Sequence, residues 1–158
     1  MKKLTMLFVF PLLALSAVAL SACGGSAQPV TLNDVPVFAG AKEFKPGESQ
    51  IGDTLAKNMQ TNAALTKAIG TGGKLEQKGF SLPQGTTWDA VQKFYDDKLK
   101  AAGWNTDATT ASVLAVVNQQ NDAFQTATYL RGNQTLAIIR MTEPISKEAW
   151  LFLSLNTR

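Results

Sequence analysis

At 158 residues the chain is long enough for one ordinary domain with its own apolar core, and its 45% hydrophobic and 17% charged composition is that of a globular rather than a disordered protein. It has no histidine and one cysteine, which excludes an imidazole base or metal ligand, an internal disulfide, a Cys-X-X-Cys redox pair and a cysteine zinc site. The formal charge of +3 includes Lys2 and Lys3 at the extreme N-terminus; without them the chain is nearly neutral, and no nucleic-acid partner is expected.

Residues 1–22 divide into a positive start, Met1-Lys2-Lys3, an apolar run from Leu4 to Leu20 without a charge, and the short Leu20-Ser21-Ala22 before Cys23. Positive charge stays on the cytoplasmic side while the apolar run enters the bilayer. Leu20-Ser21-Ala22-Cys23 resembles the lipobox of bacterial lipoproteins. That resemblance implies a thioether-linked diacylglycerol on Cys23, cleavage of a signal peptide before it, and no chemistry for the body. Two other readings compete. An uncleaved transmembrane helix is at the short edge of spanning length and would contain Pro11; an ordinary secretory signal would make a lone cysteine at this position a coincidence. With a lipidated Cys23 the membrane itself is a partner, and two acyl chains suffice for stable anchoring. The location expected is the extracytoplasmic face of the cell membrane or the outer membrane.

Gly24-Gly25-Ser26-Ala27-Gln28-Pro29 is small and polar, as in a linker. Residues 23–34 are therefore expected to be lipidated N-terminus and tether, with residues 35–158 a single domain. Extended from Gly24 to about Asp34, the tether reaches roughly 35 Å. Val35–Ala41, broken by Pro36 and Gly40, is expected to be extended and to pack Val37 and Phe38 on the core.

Ser49–Ile69 is expected to be a helix with Ile51, Leu55, Met59, Ala63 and Ile69 near one side, stopped by Gly70-Thr71-Gly72-Gly73. Either Ser49 or Asp53 could cap it. Lys74–Leu82 reads as a strand with Phe80 and Leu82 its better buried positions. Thr86–Ala102 carries the strongest helical pattern: Trp88, Val91, Phe94, Tyr95, Leu99 and Ala102 recur at helical spacing, Thr86 and Asp89 form a capping-box pair, and Gly103-Trp104 supplies the C-terminal stop. Asp89–Lys93, Lys93–Asp97 and Asp96–Lys100 are i,i+4 pairs on its outer side. Residues 109–121 admit either state, with a slight lean to helix. Phe124–Thr142 is a hairpin around Arg131-Gly132-Asn133-Gln134. Trp150–Asn156 is a last strand, with Leu151, Leu153 and Leu155 on one face and Trp150 and Phe152 on the other.

The fold class expected is α+β: an antiparallel sheet of about four strands with two or three helices packed mainly on one face. The stretch from Phe94 to Gly103-Trp104 also resembles small envelope-lipoprotein modules in which a helix ending in Gly-Trp precedes a hairpin, a likeness that implies fold and carries no chemistry.

No residue set organises catalysis. Serines and threonines lack an activating base in any known spacing, Gly70–Lys74 lacks the P-loop spacing and follows a helix, and the adjacent Asp96-Asp97 point about 100° apart as a solvated helix face. No catalytic, metal-binding or cofactor-binding residues are assigned. Trp88, Tyr95, Trp104, Trp150 and Phe152 are the candidates for a ligand or partner surface, with core packing the alternative for each. The function expected is a non-enzymatic binding or interaction role in the cell envelope, with another envelope protein as the possible partner. The alternatives are a carrier or sensor of a small apolar ligand, and an enzyme with an unrecognised carboxylate–lysine site.

Overall fold

The computed structural model describes residues 28–45, 47, 48, 50, 52–54, 56–58, 60, 61, 73–143 and 145–158. Cys23, most of the tether, Ile51, Leu55, Met59, Ala63, Ile69 and the Gly70–Gly72 stop lie outside them. The elements in chain order are β1 (Lys42–Glu43), helical residues 50, 52–54, 56–58, 60 and 61 (α1), β2 (Lys74–Ser81), α2 (Trp88–Ala101), α3 (Ala108–Gln120), β3 (Phe124–Arg131), β4 (Gln134–Thr142) and β5 (Ala149–Thr157). The five strands form one antiparallel sheet in the order β1-β2-β5-β4-β3, so the protein is α+β.

Register sorts the side chains into two faces. Leu151, Leu153 and Leu155 of β5 lie beside Arg140, Ile138 and Leu136 of β4 and beside Phe80, Lys78 and Glu76 of β2. Ala127 and Tyr129 of β3 complete this face. It meets the buried stripe Trp88, Val91, Tyr95 and Leu99 of α2, and together they form the main core. α3 lies beside α2, facing β3 across a narrow hollow. The opposite face carries Trp150, Phe152, Ile139 and Met141. Phe44 stacks there on Phe152, ring centroids 6.1 Å apart, and Gly52, Asp53 and Ala56 of α1 lie over Gln77, Gly79 and Phe152. A side chain on Gly79 would press into both phenyl rings, within 3.0 Å of each.

Local chemistry sets the boundaries. Gly103 has φ +82°; the Trp104 N–H donates to the Leu99 carbonyl at 2.9 Å and the Gly103 N–H to the Lys100 carbonyl at 3.1 Å. These are the two bonds of a Schellman stop, with Trp104 buried as its apolar partner. The expected N-cap is displaced by one residue. Thr87, not Thr86, accepts from the Ala90 N–H, because the Thr86 hydroxyl and N–H both donate to the Pro83 carbonyl and hold the preceding turn. Residues 108–120 are helical; Asp107 caps them by accepting the Thr110 N–H at 2.7 Å. The hairpin turns on Gly132-Asn133 with positive φ at Gly132 alone, the pattern of a II′ turn.

Two expectations near the N-terminus are corrected. Val37 points to solvent; the buried positions are Val35 before Pro36 and the partly buried Phe38, whose ring meets Phe94 at 5.3 Å. Ordered packing also reaches back into the stretch read as tether, since Leu32 is buried and Val30 packs on the core.

Candidate functional site

The five aromatic candidates divide between the faces of the sheet. Trp88, Tyr95 and Trp104 are buried in the main core. Trp150 and Phe152 lie on the other face but are only 6% and 3% exposed; Phe44 and α1 lie over Phe152, and Trp150 stands in the wall of a groove at the end of the sheet. None of the five is displayed as a surface aromatic. The hollow beside Trp88, about 230 Å³, is open and bounded by Asp89, Gln92, Asn118, Asp122 and Gln125, which is a polar rather than an apolar lining.

Both tyrosine hydroxyls are held neutral. Burial pushes the Tyr95 phenol well above its ordinary value; its oxygen lies toward the Phe38 backbone without reaching hydrogen-bond geometry among the described residues. Tyr129 is raised as well, by burial first and then by Asp96, whose carboxylate accepts its hydroxyl at 2.8 Å. Asp96 is therefore tied to the sheet, whereas Lys93–Asp97 closes as expected on the outer side at 3.0 Å.

Three features with functional bearing were not singled out in the sequence. The first is a clamp on the N-terminal segment. Gln134, 2% exposed, uses one amide for both main-chain groups of Val30: its Oε1 accepts the Val30 N–H at 2.9 Å and its Nε2 donates to the Val30 carbonyl at 2.7 Å. The same Nε2 donates to Thr157 Oγ1 at 2.9 Å. Beside it, Glu76 accepts the Leu32 N–H at 3.0 Å, and Arg131 donates to the Gln28 carbonyl at 3.2 Å. The Lys74 ammonium, then the Leu32 N–H, hold the Glu76 carboxyl below its ordinary value. Residues 28–32 are thus fastened to the end of the sheet formed by the β3–β4 turn, the start of β2 and the end of β5.

The second is a groove of about 870 Å³ at the opposite end, where Ser81, Leu82, Ala149 and Trp150 meet Phe44, Glu48, Glu143, Lys147 and Glu148. The Glu143 carboxylate is spent within its own loop: it accepts the Ser146 and Ile145 N–H groups, the former being the main reason its carboxyl sits below its ordinary value.

The third is an uncovered aliphatic stripe on α3. Val113, Val116 and Val117 are 59%, 55% and 43% exposed and recur at i, i+3, i+4 on a helix that contains no charged residue. The valines were visible in the sequence; their outward direction follows from Asn118, which the fold turns inward. Asn118 Nδ2 donates to the Thr126 carbonyl and Asn118 Oδ1 accepts the Thr126 N–H, both at 2.8 Å, so the opposite side of the helix is committed to the edge of β3.

Among the described residues there is no group of three or more metal-ligating side chains placed to hold an ion, and no helix is long and apolar enough to cross a membrane. No protein-family model, curated protein or solved structure matches the chain.

Proposed function

We propose that this protein is a lipid-anchored extracytoplasmic lipoprotein whose body has a non-enzymatic binding role, with another envelope protein as the partner. The signal-peptide pattern ending at Leu20-Ser21-Ala22-Cys23 motivates the anchor. The observation that carries the binding role is the valine stripe of α3, three β-branched aliphatic side chains left in water on an uncharged helix. Such a face is costly to expose and gains by being covered. The groove at the end of the sheet favours polar contacts, given Glu48, Lys147 and Glu148 on its walls, and so supports a protein segment better than a small apolar ligand.

Two experiments test the proposal. Cys23→Ala should leave an unprocessed precursor that takes up no fatty-acid probe; normal labelling of that variant would remove the anchor. A photo-crosslinking residue at position 116, expressed in the native cell, should trap a discrete envelope protein, whereas one at exposed Lys93 on α2 should not. Equal, diffuse products from both positions would count against a partner on α3.

A further inference from the structure

The clamp and the shortness of the chain ahead of it bear on how the body sits. This inference rests on the anchor proposed above. Cys23 is only about five residue steps from Gln28, at most roughly 17 Å of extended chain. Gln28, Val30 and Leu32 are fastened to Arg131, Gln134 and Glu76. The tether therefore cannot let the body roam at the length expected of a linker running to Asp34. It delivers one particular end of the sheet to the membrane.

That end differs in charge from the other. α2 runs from the groove end, where Arg140 reaches from β4 to the Thr86 carbonyl, to the clamp end, where Asn105 bridges to Leu130 next to Arg131. Its last turn places Lys98 and Lys100 there, with Lys74 and Arg158 at the sheet terminus. Among the described residues the clamp end thus holds Lys74, Lys98, Lys100, Arg131 and Arg158 against Asp34, Glu76 and Asp107. The groove end holds Glu43, Glu48, Asp89, Asp122, Glu143 and Glu148 against Lys42, Lys45, Arg140 and Lys147. The positive end is the one to which the tether is tied, and the two ends are separated by the length of β5, roughly 25–30 Å for a strand of nine residues.

We infer that the body docks on the membrane in a fixed pose, its clamp end seated on anionic phospholipid headgroups and its groove held away from the bilayer. Basic side chains are attracted to such a surface only within about a Debye length, on the order of 10 Å. The short clamped tether is what brings Lys98, Lys100 and Arg158 into that range, and the carboxylates of the groove end are repelled from the same surface.

The test uses the full lipidated chain in vesicles of mixed phosphatidylglycerol and phosphatidylcholine. Acylation consumes the Cys23 thiol, so a single dye can be placed at Ala102→Cys, on the clamp end, or at Gln84→Cys, on the groove end. Both positions are exposed. Energy transfer to acceptor-labelled headgroups should be several-fold stronger from position 102 than from position 84. A flexible Gly-Ser insertion of about ten residues before Gln28 should bring the two signals close together while the protein stays vesicle-bound. Vesicles of phosphatidylcholine alone, or the pair Lys98→Glu and Lys100→Glu, should reduce the difference. Equal transfer from the two positions in the bound, uninserted chain would overturn the pose. A difference that survives the insertion would overturn the role of the clamp, and one indifferent to lipid charge would overturn the docking. Failure of the chain to enter vesicles or to carry a fatty-acid label would instead strike at the anchor.

Discussion

Gln134→Ala should release residues 28–35 without unfolding the domain. The wild-type amide makes three hydrogen bonds, two to Val30 and one to Thr157, from a side chain that is almost fully buried. Only the two bonds to Val30 are broken when the segment detaches; at a net value of about 1 kcal/mol each, their loss amounts to about 2 kcal/mol, or roughly a 30-fold rise in the local opening equilibrium. The burial of Leu32 and Val35 resists release with about 1.5–3 kcal/mol per side chain, while ordering the backbone costs about 1–2 kcal/mol per residue. The segment is thus held by a small margin in which the amide is a large part, whereas the sheet keeps its whole ladder. Hydrogen exchange should show amides 30–35 losing protection by roughly 30-fold, with β4 and β5 nearly unchanged. Limited proteolysis should likewise cut within this segment first. Unaltered protection of Val30 and Leu32 in the variant would refute the clamp.

Other perturbations probe the remaining contacts. Asn118→Ala frees the N–H and carbonyl of Thr126 on edge strand β3; it should cost about 1–3 kcal/mol in denaturant unfolding and increase self-association measured by light scattering, because an unblocked edge pairs with other chains. Thr87→Ala should lower stability by about 1 kcal/mol through loss of the cap, and the same change at Thr86 should remove only the hydroxyl bond to Pro83; a larger loss of α2 helicity from Thr86→Ala, measured by circular dichroism, would reverse the assignment. The chain contains two tyrosines, Tyr95 and Tyr129, both raised above the ordinary 10.0. Each binds its proton more tightly in the folded state, so the stability it contributes is complete below pH 10.0 and is lost as pH rises beyond it. Phenolate absorbance should accordingly stay low through the ordinary range and rise together with unfolding; a reversible half-titration of the folded protein near the ordinary value would show one phenol to be accessible.

The parts of the fold that were legible in the sequence are those governed by neighbours a few residues apart. The α2 stripe, the Gly103-Trp104 stop, the Gly132-Asn133 turn and the leucine face of β5 all follow from short-range periodicity or φ requirements. The misplacement of the N-cap from Thr87 to Thr86 was a competition between two threonines, decided by the turn that Pro83 begins. What stayed hidden lies far apart in sequence. Asp96 and Lys100 have ideal helical spacing, yet the Asp96 carboxylate accepts from Tyr129, 33 residues away. The contact of Gln134 with Val30 spans 104 residues, and nothing local to Val30 announces it. The size of Trp88, Tyr95, Trp104, Trp150 and Phe152 fits them for the core as readily as for a surface, and the fold buries all five.

A signal for the clamp did exist in the hairpin pattern. The core-facing positions of β3 and β4 include Gln125, Gln134 and Arg140 among apolar residues, and a polar side chain on a buried face must find a partner. The choice of amides is physically specific. A main-chain residue left unpaired presents one donor and one acceptor, and a primary amide is the neutral side chain that answers both together. Asn118 does this for Thr126 on the edge of β3, and Gln134 does it for Val30 where the N-terminal segment joins the sheet. A carboxylate could satisfy only the donor, and an ammonium or guanidinium only the acceptor; either would also bury a charge, and a carboxylate would make the junction titrate in acid. With amides the attachment of the N-terminal segment at Gln134 is insensitive to pH, and among the described contacts of this segment with the sheet the one that acid weakens is that of Glu76 with the Leu32 N–H. Because the Glu76 carboxyl is depressed below its ordinary value, that contribution is intact above the ordinary carboxylate range and is lost as pH falls through the depressed value, so residues 28–32 keep this bond to the sheet at every pH where the carboxylate is ionised.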